Sequence, residues 1–254
     1  MTDAATHVFA TMGTTVSIRF ANGGPERQAL ERVEQVFASF DREFSLYDPM
    51  SPLSAVARGE LTLAESGDRV LDAYATAIDW RNATAGAFTP HRPDGVVDLS
   101  GVVKALAIAE AGVELDRLSG SWLLNVGGDV LARGSTAKGQ PWRVGIVDPE
   151  HRDRLAGVAE LTGARRALAT SGVAERGEHV WRHGDDSLVQ VTIAADDIVT
   201  ADVLATAILS GGLSELDRLT AAHAVDVLVF DREGEARATP GAREWVSPDP
   251  ATRP

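Results

Sequence analysis

The apolar positions of the chain follow two different periods. In HVFATM (7–12) and TVSIRF (15–20) they alternate on either side of Gly13, which predicts two strands joined by a tight turn. Asn22-Gly23-Gly24-Pro25 ends that pattern. Over 25–44 the spacing becomes helical, with Leu30, Val33, Val36 and Phe37 on one face and Glu and Arg between them. SLYDPMSPLSAVARGE (45–60) reads as a loop because of Pro49 and Pro52. A second amphipathic helix is predicted over 68–85, carrying Val70, Leu71, Tyr74 and Ile78. GAFTPHRPDG (86–95) is a turn-rich connector, and an Ala-rich helix follows over 99–118.

After Gly120 the pattern changes to short β-like runs: SWLLNV, DVLARG, WRVGIVD, GVAELTG, RALATSG and LVQVTIAA. Helices are predicted over 198–210 and 213–223, then a strand in AVDVLVFD and a last turn and strand in EGEARATP. Helices and strands mix without strict alternation, which predicts an α+β fold with mainly antiparallel sheet, not a doubly wound one. No repeat or low-complexity linker divides the chain, so 1–247 reads as one domain and 248–254 as a disordered tail.

Composition narrows the function. The 254 residues include 24 Lys and Arg against 37 Asp and Glu, a formal net charge of -13. That charge disfavours a nucleic-acid backbone or an anionic membrane as partner, but not a small phosphate ligand held by a metal ion and backbone amides. With no cysteine in the chain, disulfides, thiolate metal sites and thiol nucleophiles are excluded. The N-terminal residues lack a signal-peptide pattern, no lipid-bearing cysteine is available, and no apolar run suits membrane insertion, so the sequence points to a cytoplasmic protein.

The common phosphate-loop, dinucleotide, zinc-protease and serine-hydrolase motifs are absent. What remains is glycine-rich turns and acidic groups. Asn125-Val126-Gly127-Gly128-Asp129 is either a tight hairpin or a place where a ligand approaches the backbone. Asp98, with Ser100, either caps the following helix or turns its N-terminus toward a phosphate. Asp202 and Thr206 are four apart, hence on one helix face, where a carboxylate and a hydroxyl suit a hard cation such as magnesium. They equally suit a solvated helix start and a buried polar filler. His179 is either an acid/base group or a surface histidine, and Tyr47 either stacks on a flat ring or packs in its loop.

Taken in order, MGTTVSI, FSLYDPMSPLS, GAF, VDLSGVVKALA, LLNVGGDV, PWRVGIVDP, ALATSG, ERGEH and VTIAADDIVTADVLATAIL resemble the ApbE family of FAD:protein FMN transferases, from about Phe9 to about Trp245. The resemblance implies the α+β fold of those enzymes in two merged lobes, with FAD in a cleft between them. It implies FAD contacts at Met12, Tyr47, Ala87, Phe88, Thr89, Asp98 and Lys104, and close backbone approach at Asn125, Gly127, Gly128 and Asp129. It implies magnesium held by Asp202, Thr206 and the main-chain oxygen of Gly101, with Ala205 contributing a carbonyl, and His179 as the base. The implied reaction moves FMN from FAD to a threonine or serine hydroxyl of an acceptor flavoprotein and releases AMP. The alternative is an FAD-binding protein or FAD pyrophosphatase that forms FMN and AMP without protein flavinylation. The chain differs from the family pattern at Thr89, where aspartate is common, at Ala57, where asparagine is common, and after His179, where HVWRHGDDSL replaces a proline-containing turn.

Overall fold

The computed structural model describes residues 5–118, 120–173 and 187–245. Alternating burial makes the first two strands. β1 (Ala5–Thr11) exposes every second residue, and β2 (Thr14–Phe20) buries Val16, Ile18 and Phe20. They pair antiparallel around a turn with Met12 at φ 48° and Gly13 at φ 69°. Two positive φ angles give the turn the twist that a two-residue hairpin needs, and Met12 holds a conformation usually left to glycine.

Eight strands of the described residues join one antiparallel sheet, in the order β1-β2-β3-β4-β7-β8-β9-β10. The others are β3 (Trp122–Val126), β4 (Asp129–Arg133), β7 (Ala167–Gly172), β8 (Leu188–Ala195), β9 (Asp226–Asp231) and β10 (Ala236–Ala238). Strands β5 (Trp142–Val147) and β6 (Leu155–Leu161) form a separate two-stranded sheet. This α+β architecture, with a mainly antiparallel sheet, is the one the sequence predicts.

The pleat sorts side chains between two cores. Ile18, Leu124, Leu131 and Ile193 face the helices α1 (Arg27–Phe44), α4 (Ser100–Asp116) and α5 (Ile198–Gly211). Their neighbours Leu123, Val130, Leu168 and Ala194 face the opposite way, with Trp142, Ile146 and Leu161 of the β5–β6 hairpin. Trp142 Nε1 donates to the Arg133 carbonyl at 3.1 Å, and Gln190 Nε2 to that of Val147 at 2.9 Å, so the hairpin is pinned at both ends.

α4 reaches the sheet because Gly112 has no side chain: a Cβ there would lie 2.7 Å from Leu131 Cδ2. α5 is buried on almost every side, which its nearly continuous apolar sequence dictates. Asp197 caps its start by accepting from the Thr200 amide at 2.8 Å. α3 (Asp68–Ala83), α6 (Leu213–Ala222) and α7 (Pro240–Trp245) complete the longer helices and the C-terminal end. Among the described residues no helix is long and apolar enough to cross a membrane.

Two short helices differ from the pattern read in the sequence. Within the expected loop, α2 (Pro52–Ala57) starts with proline in its first turn, where the missing amide costs nothing, and Ser51 caps it by accepting from the Ser54 amide at 3.0 Å. Helix α7 is too short to show a period. The proposed tail 248–254 lies outside the described residues.

Candidate functional site

Two turns meet at one end of the sheet. Gly127 (φ 58°) and Gly128 (φ 100°) connect β3 to β4 as a two-residue hairpin, so the first of the two readings of NVGGD holds for its backbone. Asn125 Oδ1 accepts from the Gly128 amide at 3.0 Å, which occupies this side chain in holding the turn. The Gly127 amide donates to the Thr15 carbonyl at 3.1 Å, tying this hairpin to the start of β2 and hence to the Met12 turn. A Cβ on Gly127 would lie 2.5 Å from Thr14 Oγ1, so only glycine allows the two turns to approach this closely.

Behind the hairpin lies a polar network on the helix side of the sheet. Asp129, 1% exposed, pairs with Lys104 Nζ of α4 at 2.5 Å and accepts from the Thr170 amide at 3.2 Å. The next residue, Ser171, shares a hydrogen bond of 3.1 Å with Thr206 of α5. Lys104, Asp129, β7 and Thr206 are therefore linked across α4, β4, β7 and α5. On α5 the carboxylate of Asp202 is 0% exposed and Ala205 is equally buried, whereas Thr206 is only half-buried. Thr206, one helical turn from Asp202, is thus the more accessible of the two residues.

The start of α4 closes against the 85–91 segment. Asp98 Oδ1 accepts from the Ser100 amide at 2.9 Å, a bond to the first amide of α4 made from one residue before the N-cap, Leu99, which itself makes no side-chain capping bond. Phe88 is buried against Gly101, where a Cβ would sit 2.9 Å from the ring. Ala87 and Thr89 line an open cleft with Arg81, Gly86 and His91, and Gly211, Ser214 and Glu215 line it too. Arg218 pairs with Glu215 at 2.6 Å and donates to the Ala83 carbonyl at 3.3 Å.

Tyr47 stands apart. It is 92% exposed, in a turn that Ser45 fixes by accepting from the Tyr47 and Asp48 amides at 3.3 and 3.2 Å. His179 lies outside the described residues, within the connection from β7 to β8. Ser171, Thr170, Tyr74 and His91 belong to the network or the cleft but carry no motif of their own. A serine beside a glycine at the end of a strand, as in ALATSG, was the only sequence signal for Ser171.

Among the described residues no cluster of three or more histidine, aspartate or glutamate side chains could by itself hold a metal ion. Magnesium does not require one, since it is commonly held by one or two carboxylates, waters and substrate phosphates. The oxygen donors of Asp202, Thr206 and Ser171 fit that chemistry.

The fold is antiparallel α+β, with a buried carboxylate on α5 and two glycine turns at one end of the sheet, and the comparisons supply the family. The ApbE family model matches residues 12–94 and 90–229, and the chain belongs to that family. It is 30% identical over 172 residues to the FAD:protein FMN transferase of Salmonella typhimurium, covering 61% of this chain and 47% of that protein. It is 28% identical over 172 residues to the enzyme of the same name from Escherichia coli K12, with the same coverage. The chain thus spans about half the length of the curated relatives it matches. Its fold superposes on the ApbE protein of Thermotoga maritima with a TM-score of 0.81 at 18% identity, covering 96% of this chain and 100% of that one. The flavin transferase ApbE of Vibrio cholerae gives 0.78 at 20% identity, with 96% and 100% covered.

Proposed function

We propose that the chain is a magnesium-dependent FAD:protein FMN transferase. It moves FMN from FAD to a threonine or serine hydroxyl of an acceptor protein and releases AMP. The observation that carries this reading is the buried Asp202 side chain one helical turn from Thr206, which is half-buried and bonded to Ser171 of β7. A carboxylate and hydroxyls brought together on α5 and β7 are the kind of oxygen donors that a hard cation beside a phosphate substrate takes. Family membership and the names of the relatives agree with it.

In this reading Asp202, Thr206 and the Gly101 carbonyl hold the ion, with Ala205 beside them. When bound, magnesium offsets the charge of the pyrophosphate and of the departing AMP. The acceptor oxygen forms a bond to the FMN phosphorus as the bridging bond to AMP breaks, and the hydroxyl proton passes to His179. Met12 and the 127–128 turn border the dinucleotide, and Tyr47 covers the isoalloxazine ring. Lys104 and Asp129 set the position of the first turn of α4. Positioning and charge placement supply most of the acceleration.

The test is to incubate the protein with FAD, magnesium and a candidate acceptor domain and weigh the acceptor. A gain of one FMN supports transfer. Free FMN and AMP beside an unmodified acceptor would instead establish a pyrophosphatase.

Tyr47 gives a separate expectation. Its exposed ring contributes little packing, so Tyr47→Ala should melt like the parent. Loss of a stacking surface should weaken FAD binding about tenfold, read by flavin fluorescence. An unchanged affinity would place the isoalloxazine elsewhere.

A further inference from the structure

One histidine of the cleft is held in a way its sequence context does not announce. The His91 amide donates to Thr89 Oγ1 at 3.2 Å, and its backbone forms a bridge with Val97. Its ring Nε2 lies 3.0 Å from the Tyr74 hydroxyl, and the two rings meet edge-on at 86°. Tyr74 rises from α3 and packs on the main core. The imidazole is therefore fixed by its own backbone and by a buttressed tyrosine. When the tyrosine donates to Nε2, the ring proton resides on Nδ1, and that nitrogen becomes a hydrogen-bond donor.

The surroundings narrow what such a donor serves. Small residues such as Gly86 and Gly211 leave the cleft broad enough for a flat ring, and Arg81 and Ser214 add polar groups at its rim. Glu215, the carboxylate among the described lining residues, is paired with Arg218. Among the described residues no tyrosine, tryptophan or phenylalanine lines the cleft, so these walls offer no aromatic stacking surface for a tricyclic flavin. A purine carrying a phosphate fits better.

We infer that His91, buttressed by Tyr74, is a positioning and specificity residue for the adenosine-phosphate half of FAD, donating from Nδ1 to a purine or phosphate acceptor. The inference rests on the proposed FAD site.

The test uses the full chain with magnesium and measures FAD affinity by flavin fluorescence, inhibition by AMP and by FMN, and the KM and kcat of AMP release. His91→Ala should raise the FAD Kd and KM and the AMP inhibition constant about tenfold, the scale of one hydrogen bond to a charged group. It should leave FMN inhibition and kcat within about twofold. His91→Gln, which keeps a donor, should recover most of the loss. Should His91→Ala fail to fold, Tyr74→Phe decides, since it keeps the ring packing and should weaken AMP inhibition about threefold. Wild-type AMP inhibition in a folded His91→Ala, or in Tyr74→Phe, would overturn the inference and reduce the pair to a packing role. A parent protein that binds neither FAD nor AMP would sink the functional reading itself.

Discussion

Asp202→Asn should lower magnesium-dependent turnover of FAD by about a thousandfold, the loss expected when roughly 4 kcal/mol of charge stabilisation disappears from the transition state. Asparagine keeps the shape of the side chain at a fully buried position, so the protein should still fold. A second readout separates metal binding from catalysis. Magnesium should raise the melting temperature of the parent, because a ligand of the folded state stabilises it, and should have no such effect on Asp202→Asn. Equal turnover in the two proteins, or an equal magnesium-induced shift, would remove Asp202 from the metal site.

Lys104→Met should destabilise the fold by about 3 kcal/mol, because it strips the ammonium from a carboxylate that is almost wholly buried. Urea unfolding measures the loss. Adding Asp129→Asn should recover much of it, and the coupling between the two substitutions reports the pair directly. Additive losses would show that the two charges act independently. The same experiment separates two roles that the sequence pattern runs together: Lys104 and Asp129 both stand at positions associated with the cofactor, yet in the fold they bind each other.

The reason lies in range. Features encoded within one turn or one hairpin were legible in the sequence. The two glycines of NVGGD and the four-residue step from Asp202 to Thr206 appear in the structure as the local pattern requires, and Asp98 bonds the first amide of α4 from just outside the N-cap. The strands were legible too, because a period of two survives in most of them. Strand order was not, since β4 pairs with β7 across the whole β5–β6 hairpin and nothing local encodes that partner. The contacts of Lys104 with Asp129, Ser171 with Thr206 and Tyr74 with His91 join residues 25, 35 and 17 positions apart. Each is a consequence of packing helices on a sheet. Helix α2 was hidden for a different reason: Pro52 reads as a loop residue unless Ser51 is recognised as a cap.

The most direct measurement follows AMP release and acceptor modification together in one reaction, with magnesium present and then removed by a chelator. The account predicts one AMP for each FMN joined to the acceptor, with both processes stopping when the metal is withdrawn. AMP formation that continues without the metal, or that proceeds while the acceptor stays unmodified, would contradict it.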